Sequence, residues 1–332
     1  MKKKIINIFK TLIFLTVGII LFWLVYRKQD FSQIWIELKQ ARWGWLIFSM
    51  ILGILSHISR VIRWKLMIEP LGYKARGTIL FFSVMIMYLT NLAIPRSGEV
   101  VRCATTSKYE KIPFSSLLGT VVTERIIDML MMIIFLILAI VIQFSYLFRF
   151  WKQNPQLHDI LFVLSKYLPF LIISAIIGIA FIVILITYRK KLKNTKLFGK
   201  FYQILENFGQ GIISVLHMKK KWQFIAHSFF IWTMYFLMMY VIFFAFDFTE
   251  NIPLMAGFVI FVMSTLGMVF PSPGGMGSWD FMTIEGLKLY GIAQNNAAIY
   301  ALITHASQII LLISFGLLSL VAISFFKPIK KI

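Results

Sequence analysis

Apolar residues in this chain gather into long unbroken runs instead of the short periodic patches of a soluble core. A helix needs about 20 mostly apolar residues to cross the hydrocarbon layer of a bilayer. Six segments meet that length, at roughly 5–26, 43–62, 115–143, 168–188, 222–246 and 297–326. Trp23, Tyr26, Trp43, Trp45 and Trp222 stand at the ends of these runs, where amphipathic rings settle between lipid and water. Two further runs, 78–94 and 253–270, are somewhat short, and each meets a Pro/Gly break. A weaker apolar or amphipathic stretch follows each break. The pattern predicts an all-α integral membrane protein with about six full transmembrane helices and two re-entrant helical hairpins.

The Lys and Arg residues orient the spans. With the N-terminus in the cytoplasm and both hairpins returning to their side of entry, 25 of the 34 basic residues fall inside and seven outside. Short cytoplasmic loops carry such an excess. Both termini are then cytoplasmic and the acidic stretch Asp247–Asn251 is external. Under this topology the first hairpin enters from the cytoplasm and the second from outside. Opposite orientation is what an inverted repeat predicts, with halves of roughly 1–166 and 167–332 inside a single transmembrane domain spanning 1–332. The segment 27–42 reads as a short amphipathic stretch outside. Leu197, Phe201, Ile204, Leu205 and Phe208 suggest an amphipathic helix on the cytoplasmic surface. The run from Ile5 to Tyr26 is too long for a signal-peptide core and is read as a retained helix.

Composition agrees with the pattern. Hydrophobic residues make up 59% of the chain and charged ones 14%, against about 45–50% and about 25% in soluble domains. The net charge of +21 is dispersed through the gaps between apolar runs, which fits an anionic cytoplasmic leaflet better than nucleic acid. One cysteine, Cys103, excludes an internal disulfide framework and any CxxC metal or redox site. No ATP-binding P-loop is present. Neither a metal nor a cofactor is expected.

Charged groups inside the runs call for a reason, because each costs about 2.5–3.5 kcal/mol or more at bilayer depth. The first group, Asn91 to Arg102, carries Pro95, Arg96, Gly98 and Glu99. Pro95 stops a helix and Gly98 allows a tight turn. Arg96 and Arg102 suit bidentate contact with phosphate, and Glu99 could hold one of them. The alternative is an interfacial loop whose arginines reach out to headgroups. The second group is Glu124, Arg125 and Asp128, inside the 115–143 span. Glu124 and Asp128 share a helix face, and Arg125 can reach Asp128 three positions on. They line a polar path or form a buried ion pair that locks packing. The third is Pro271, Pro273, Gly274, Gly275, Gly277 and Asp280. Its glycines offer backbone amides to an anion, and Asp280 can cap the following helix. Arg60 and Arg63, beside His57, read as membrane anchors or as headgroup contacts. His305 reads as a packing hydrogen-bonder and Glu285 as a further in-membrane carboxylate.

Together these motifs resemble the lysylphosphatidylglycerol synthase transmembrane-region family, the flippase-like membrane domain that also forms the N-terminal half of bacterial multiple peptide resistance factors. The residues that carry the likeness are Asn91, Pro95, Gly98, Glu99 and Arg102, then Glu124, Arg125 and Asp128, then Pro271, Pro273, Gly274, Gly275, Gly277 and Asp280. Arg60 to Trp64 are similar to the family's early arginine-rich helix end. The resemblance implies a transporter-like fold in a prokaryotic plasma membrane. It implies movement of an anionic or zwitterionic phospholipid, or a lipid-linked headgroup, between leaflets. Arg96 and Arg102, with Glu99, Arg60 and Arg63, would meet the headgroup from inside, and the Gly274–Gly277 amides from outside. Asn91, Glu124, Arg125, Asp128 and Asp280 would line the polar path. Aminoacyl transfer is not carried over, since the likeness covers the membrane half alone. A separate synthase partner and a homo-oligomer are both compatible with it. A membrane enzyme or accessory subunit of lipid-linked aminoacyl- or glycosyl-transferase chemistry is the alternative.

Overall fold

The computed structural model describes residues 23, 26–27, 31–144, 218–270 and 272–329. The spans expected over 5–26 and 168–188 lie outside these residues except for Trp23 and Tyr26, as do the amphipathic helix expected over 197–208 and Pro271. Among the described residues every regular element is helical. They are α1 (Phe31–Gln40), α2 (Trp43–Ile68), α3 (Gly77–Ala93), α4 (Gly98–Glu110), α5 (Phe114–Ile142), α6 (Lys221–Tyr240), α7 (Leu254–Gly267), α8 (Ser278–Leu289) and α9 (Gln294–Ser324).

Among the described residues, four helical stretches are long and apolar enough to cross a bilayer: Trp43–Leu71, Phe114–Ile142, Lys221–Ala245 and Gln294–Ser324. The shortest has 25 residues, about 37 Å at 1.5 Å per residue, against a hydrocarbon layer of about 30 Å. Proline and glycine set their limits. Trp43–Leu71 ends at Pro70 and at Gly72, whose φ is 83°. Pro113 stands just before α5 and Pro253 just before α7. Arg42 precedes α2 and binds the 244–250 corner, donating to Glu250 at 2.8 Å and pairing with Asp247 at 2.5 Å. The hydrogen bond to Glu250 pushes the Arg42 pKa above its ordinary value.

The two shorter apolar runs form antiparallel hairpins. In the first, Gly98 N–H donates to Asn91 Oδ1 at 2.8 Å, Thr106 to Ser83 at 3.0 Å, and Arg76 to Glu110 at 2.8 Å. These contacts run α4 back along α3. Gly98 sits so close that a Cβ there would lie 2.2 Å from the Met87 carbonyl. In the second, Gly267 meets Ser278 and Trp279 while Gly286 meets Ile260, so α8 runs back along α7.

The apolar core joins α2, α5, α6, α7 and α9. Phe243 stacks on Tyr300, and Ala297, Ala298 and Ala301 let α9 approach its neighbours. Small residues are what membrane helices use for close packing. On α5, Ile126, Met129, Ile133, Ile137 and Val141 are exposed, and an outward apolar face of this kind suits lipid.

Candidate functional site

Glu124 lies ten residues into α5 and Asp128 at its centre, on one face of the helix. Opposite them α2 presents Arg60 and Arg63, three positions apart and so on one face. The hairpin helix α4 adds Arg102. All three arginines are buried.

Glu124 is the hub. Its Oε1 accepts a hydrogen bond from Arg60, lies 3.3 Å from Arg63 Nη2, and accepts from Arg125 at 3.1 Å. Its Oε2 accepts from Arg102 Nη2 at 2.5 Å. Asp128 takes Arg63 Nη2 at 2.7 Å, Arg60 Nη1 at 3.4 Å and Arg125 Nη2 at 3.5 Å. Glu99 stands at the edge, 4.0 Å from Arg125, and accepts from Asn91 at 3.4 Å.

Neutral groups complete the shell. Arg60 Nη2 donates to the Tyr235 hydroxyl at 3.0 Å, which lies 3.2 Å from that of Tyr88. Arg63 Nη1 donates to Ser228 at 3.3 Å. The Arg102 guanidinium lies 4.0 Å from the centre of the Trp64 ring, and Trp64 Nε1 donates to Thr120 at 2.9 Å. Cation–π contact of this kind gains strength away from water.

Four arginines thus meet three carboxylates, leaving one positive charge over. The Nε atoms of Arg60, Arg63 and Arg102 have no hydrogen-bond partner among the described residues. Arg125 is the open member, its side chain 43% exposed where Arg102 and Glu124 are 0%. Surplus positive charge beside an exposed guanidinium can attract an anion with several oxygens.

A second polar centre lies at the break between α7 and α8. Asp280 accepts from Gly277 N–H at 2.7 Å and from the Tyr26 hydroxyl at 3.0 Å. His305 of α9 places Nδ1 3.0 Å from Asp280 and Nε2 3.0 Å from the Gly274 carbonyl. Through these two contacts His305 ties the α8 cap to the glycine turn. The two breaks also touch. Arg96, held at φ 60°, donates to the Val269 carbonyl at 2.9 Å, and Gly274 packs on Leu92.

Several expectations change with this geometry. Arg60 and Arg63 are not anchors reaching for headgroups, because the α5 carboxylates hold them inside the protein. Arg102 is enclosed between Glu124 and Trp64 and is not open to a headgroup. Glu99 pairs with Arg125 rather than with Arg96 or Arg102. The amides of Gly275 and Gly277 are already used, by Ser272 O at 3.1 Å and by Asp280. Glu285 pairs with Lys288 at 2.8 Å. Asp280 caps α8 as expected. Sequence reasoning does not single out Tyr88, Tyr235 and Ser228. Their signal was a polar or aromatic residue inside a span at a helical spacing that faces the charges.

A family model described as the lysylphosphatidylglycerol synthase TM region matches residues 8–316. The UPF0104 membrane protein MJ1595 of Methanocaldococcus jannaschii is 33% identical over 99 residues, 29% of this chain and 30% of that protein. The matched stretch is therefore under a third of either chain. No solved structure matches.

Proposed function

The chain belongs to the lysylphosphatidylglycerol synthase TM region family, and from that premise we propose that it carries a phosphate-bearing lipid headgroup between leaflets of the bilayer. The observation behind the reading is the arginine cluster around Glu124, which holds one positive charge more than its carboxylates balance. A phosphodiester supplies that missing charge. Arg125, open on one side, meets the headgroup first, with Glu99 as its partner at rest. Arg96 at the contact of the two breaks then serves as a second cation, and Asn91 shapes the first turn. On this reading the enclosed Arg102, Arg60 and Arg63 set the field of the site and the order in which it opens.

In this proposal α3–α4 and α7–α8 are re-entrant hairpins. Helices of 13 and 12 residues reach about 20 Å and 18 Å, too short for a layer of about 30 Å. Opposite entry makes the hairpins halves of an inverted repeat within one domain, with about six full spans. The excess of Lys and Arg in the loops assigned to the inside supports cytoplasmic termini, and the family resemblance supports a prokaryotic plasma membrane. The lipid is anionic or zwitterionic, and a separate synthase is a fitting source for it. Energy would come from a gradient, a partner, or the lipid's own concentration difference.

The test is reconstitution into liposomes carrying a fluorescent phospholipid whose outer-leaflet label dithionite destroys. The reading predicts loss of signal beyond the outer half in vesicles with protein. Loss confined to the outer half, for phosphatidylglycerol, phosphatidylethanolamine and an aminoacylated lipid alike, would overturn it.

A further inference from the structure

Along α2, Ser49, Gly53, Ser56, His57, Arg60 and Arg63 recur at helical spacing, and all six are buried. From Ser49 to Arg63 is about 21 Å of helix, most of the thickness of a hydrocarbon layer. One face of a spanning helix is thus polar and turned into protein for nearly its full depth.

Hydrogen bonds cross the seam this face makes with its neighbours at several levels. Ser49 donates to the Met238 carbonyl at 2.7 Å, and Gln308 of α9 donates to Ser49 at 3.0 Å. Lower down, Ser59 and His227 meet at 2.8 Å, and Arg60 reaches Tyr235. Tyr88 of α3 lies against Tyr235. Midway stands His57, 4% exposed, its ring centre 4.6 Å from that of Tyr88. His57 Nδ1 has no hydrogen-bond partner among the described residues.

A buried ring nitrogen without a partner is unfavourable unless something visits it. A seam of exchangeable polar bonds can part at modest cost, since each bond lost is replaced by one to water or to a headgroup oxygen. We propose that the polar face of α2 is the route a phosphate headgroup follows away from the arginine cluster, with His57 its hydrogen-bonding station midway. The route rests on the transport reading above and extends it from a binding cluster to a path. Serine, tyrosine, glutamine and imidazole suit it, because they bind phosphate and hydroxyl oxygens without trapping them as a further guanidinium would.

The test uses the full chain with Cys103→Ala, carrying either Ser56→Cys on the seam or Leu55→Cys, whose parent side chain is exposed away from the seam. Both are reconstituted in phosphatidylcholine–phosphatidylglycerol vesicles and treated with a membrane-impermeant methanethiosulfonate. The route predicts labelling of Ser56→Cys at least tenfold faster than Leu55→Cys. It also predicts that the label on Ser56→Cys cuts lipid movement at least fivefold, while the same label on Leu55→Cys leaves it unchanged. Equal labelling rates would overturn the route, and so would full labelling of Ser56→Cys with unaltered lipid movement. If unlabelled protein moves no lipid, the transport reading fails, and the labelling rates still decide whether water reaches the seam.

Discussion

Glu124 Oε2 accepts a 2.5 Å hydrogen bond from Arg102 Nη2 with both side chains fully buried, while the other oxygen of Glu124 meets Arg60, Arg63 and Arg125. One carboxylate therefore touches all four guanidinium groups of the cluster. Removing one partner of a buried pair leaves an uncompensated charge and costs about 3–5 kcal/mol. Glu124→Gln keeps the shape and removes the charge. It should lower the unfolding midpoint in detergent by several degrees and reduce the yield of monodisperse protein. A midpoint within one degree of wild type would mean the arginines have another counter-charge.

The first hairpin depends on the absence of a side chain at Gly98. A Cβ there would lie 2.2 Å from the Met87 carbonyl and 2.8 Å from Asn91, and backbone cannot yield as a flexible side chain does. Gly98→Ala should destabilise the protein by about 3 kcal/mol or more, at or beyond the upper end of ordinary overpacking. At Gly44 nothing lies within 4 Å, so Gly44→Ala should melt as wild type does. Thermal unfolding of the two variants side by side checks both statements.

The helices were legible because a spanning helix writes its length directly into hydropathy. The segments expected over 78–94 and 115–143 form α3 and α5 to within one residue at each end. The breaks were legible through Pro95, Gly98 and the glycines after Pro273. Pairing across the bundle was not. Arg60 and Glu124 stand 64 positions apart, and local spacing says nothing about partners at that distance. A partial signal was present in the matched separations: Arg60 and Arg63 are three apart, and Glu124 and Asp128 four apart, on two helices with no other reason to carry charge at depth. His305 and Asp280 show the same limit, since each is a lone polar residue until the fold places the α8 cap beside α9.

Asp280 gathers three donors, from Gly277, Tyr26 and His305. Asp280→Ala removes the acceptor that all three share and should cost about 3–5 kcal/mol. His305→Phe leaves Asp280 its other two donors and should cost less, about 1–3 kcal/mol. The double variant should be more stable than the sum of the two losses predicts, by at least about 1 kcal/mol of coupling. Additive losses in thermal or denaturant unfolding would show that the pair does not interact.

Arg96 occupies a left-handed conformation at φ 60°, which costs a non-glycine residue about 1–2 kcal/mol. Arg96→Gly relieves that strain and Arg96→Ala does not, though both lose the bond to Val269. The glycine variant should therefore unfold at the higher temperature of the two. Both should move lipid more slowly than wild type if Arg96 is the second cation. A glycine variant less stable than the alanine one would place the local backbone cost elsewhere.

The account turns on Arg125, the partly exposed arginine of a cluster whose other members are enclosed. Its contacts to Glu124 and Asp128 are shared with better-buried partners, so Arg125→Ala should keep the fold and remove the first cation a headgroup meets. The decisive measurement is the dithionite-resolved rate of phospholipid movement in matched vesicles of wild type and Arg125→Ala. The account predicts at least a tenfold slower rate with an unchanged unfolding midpoint. Equal rates, with wild type active, would contradict it.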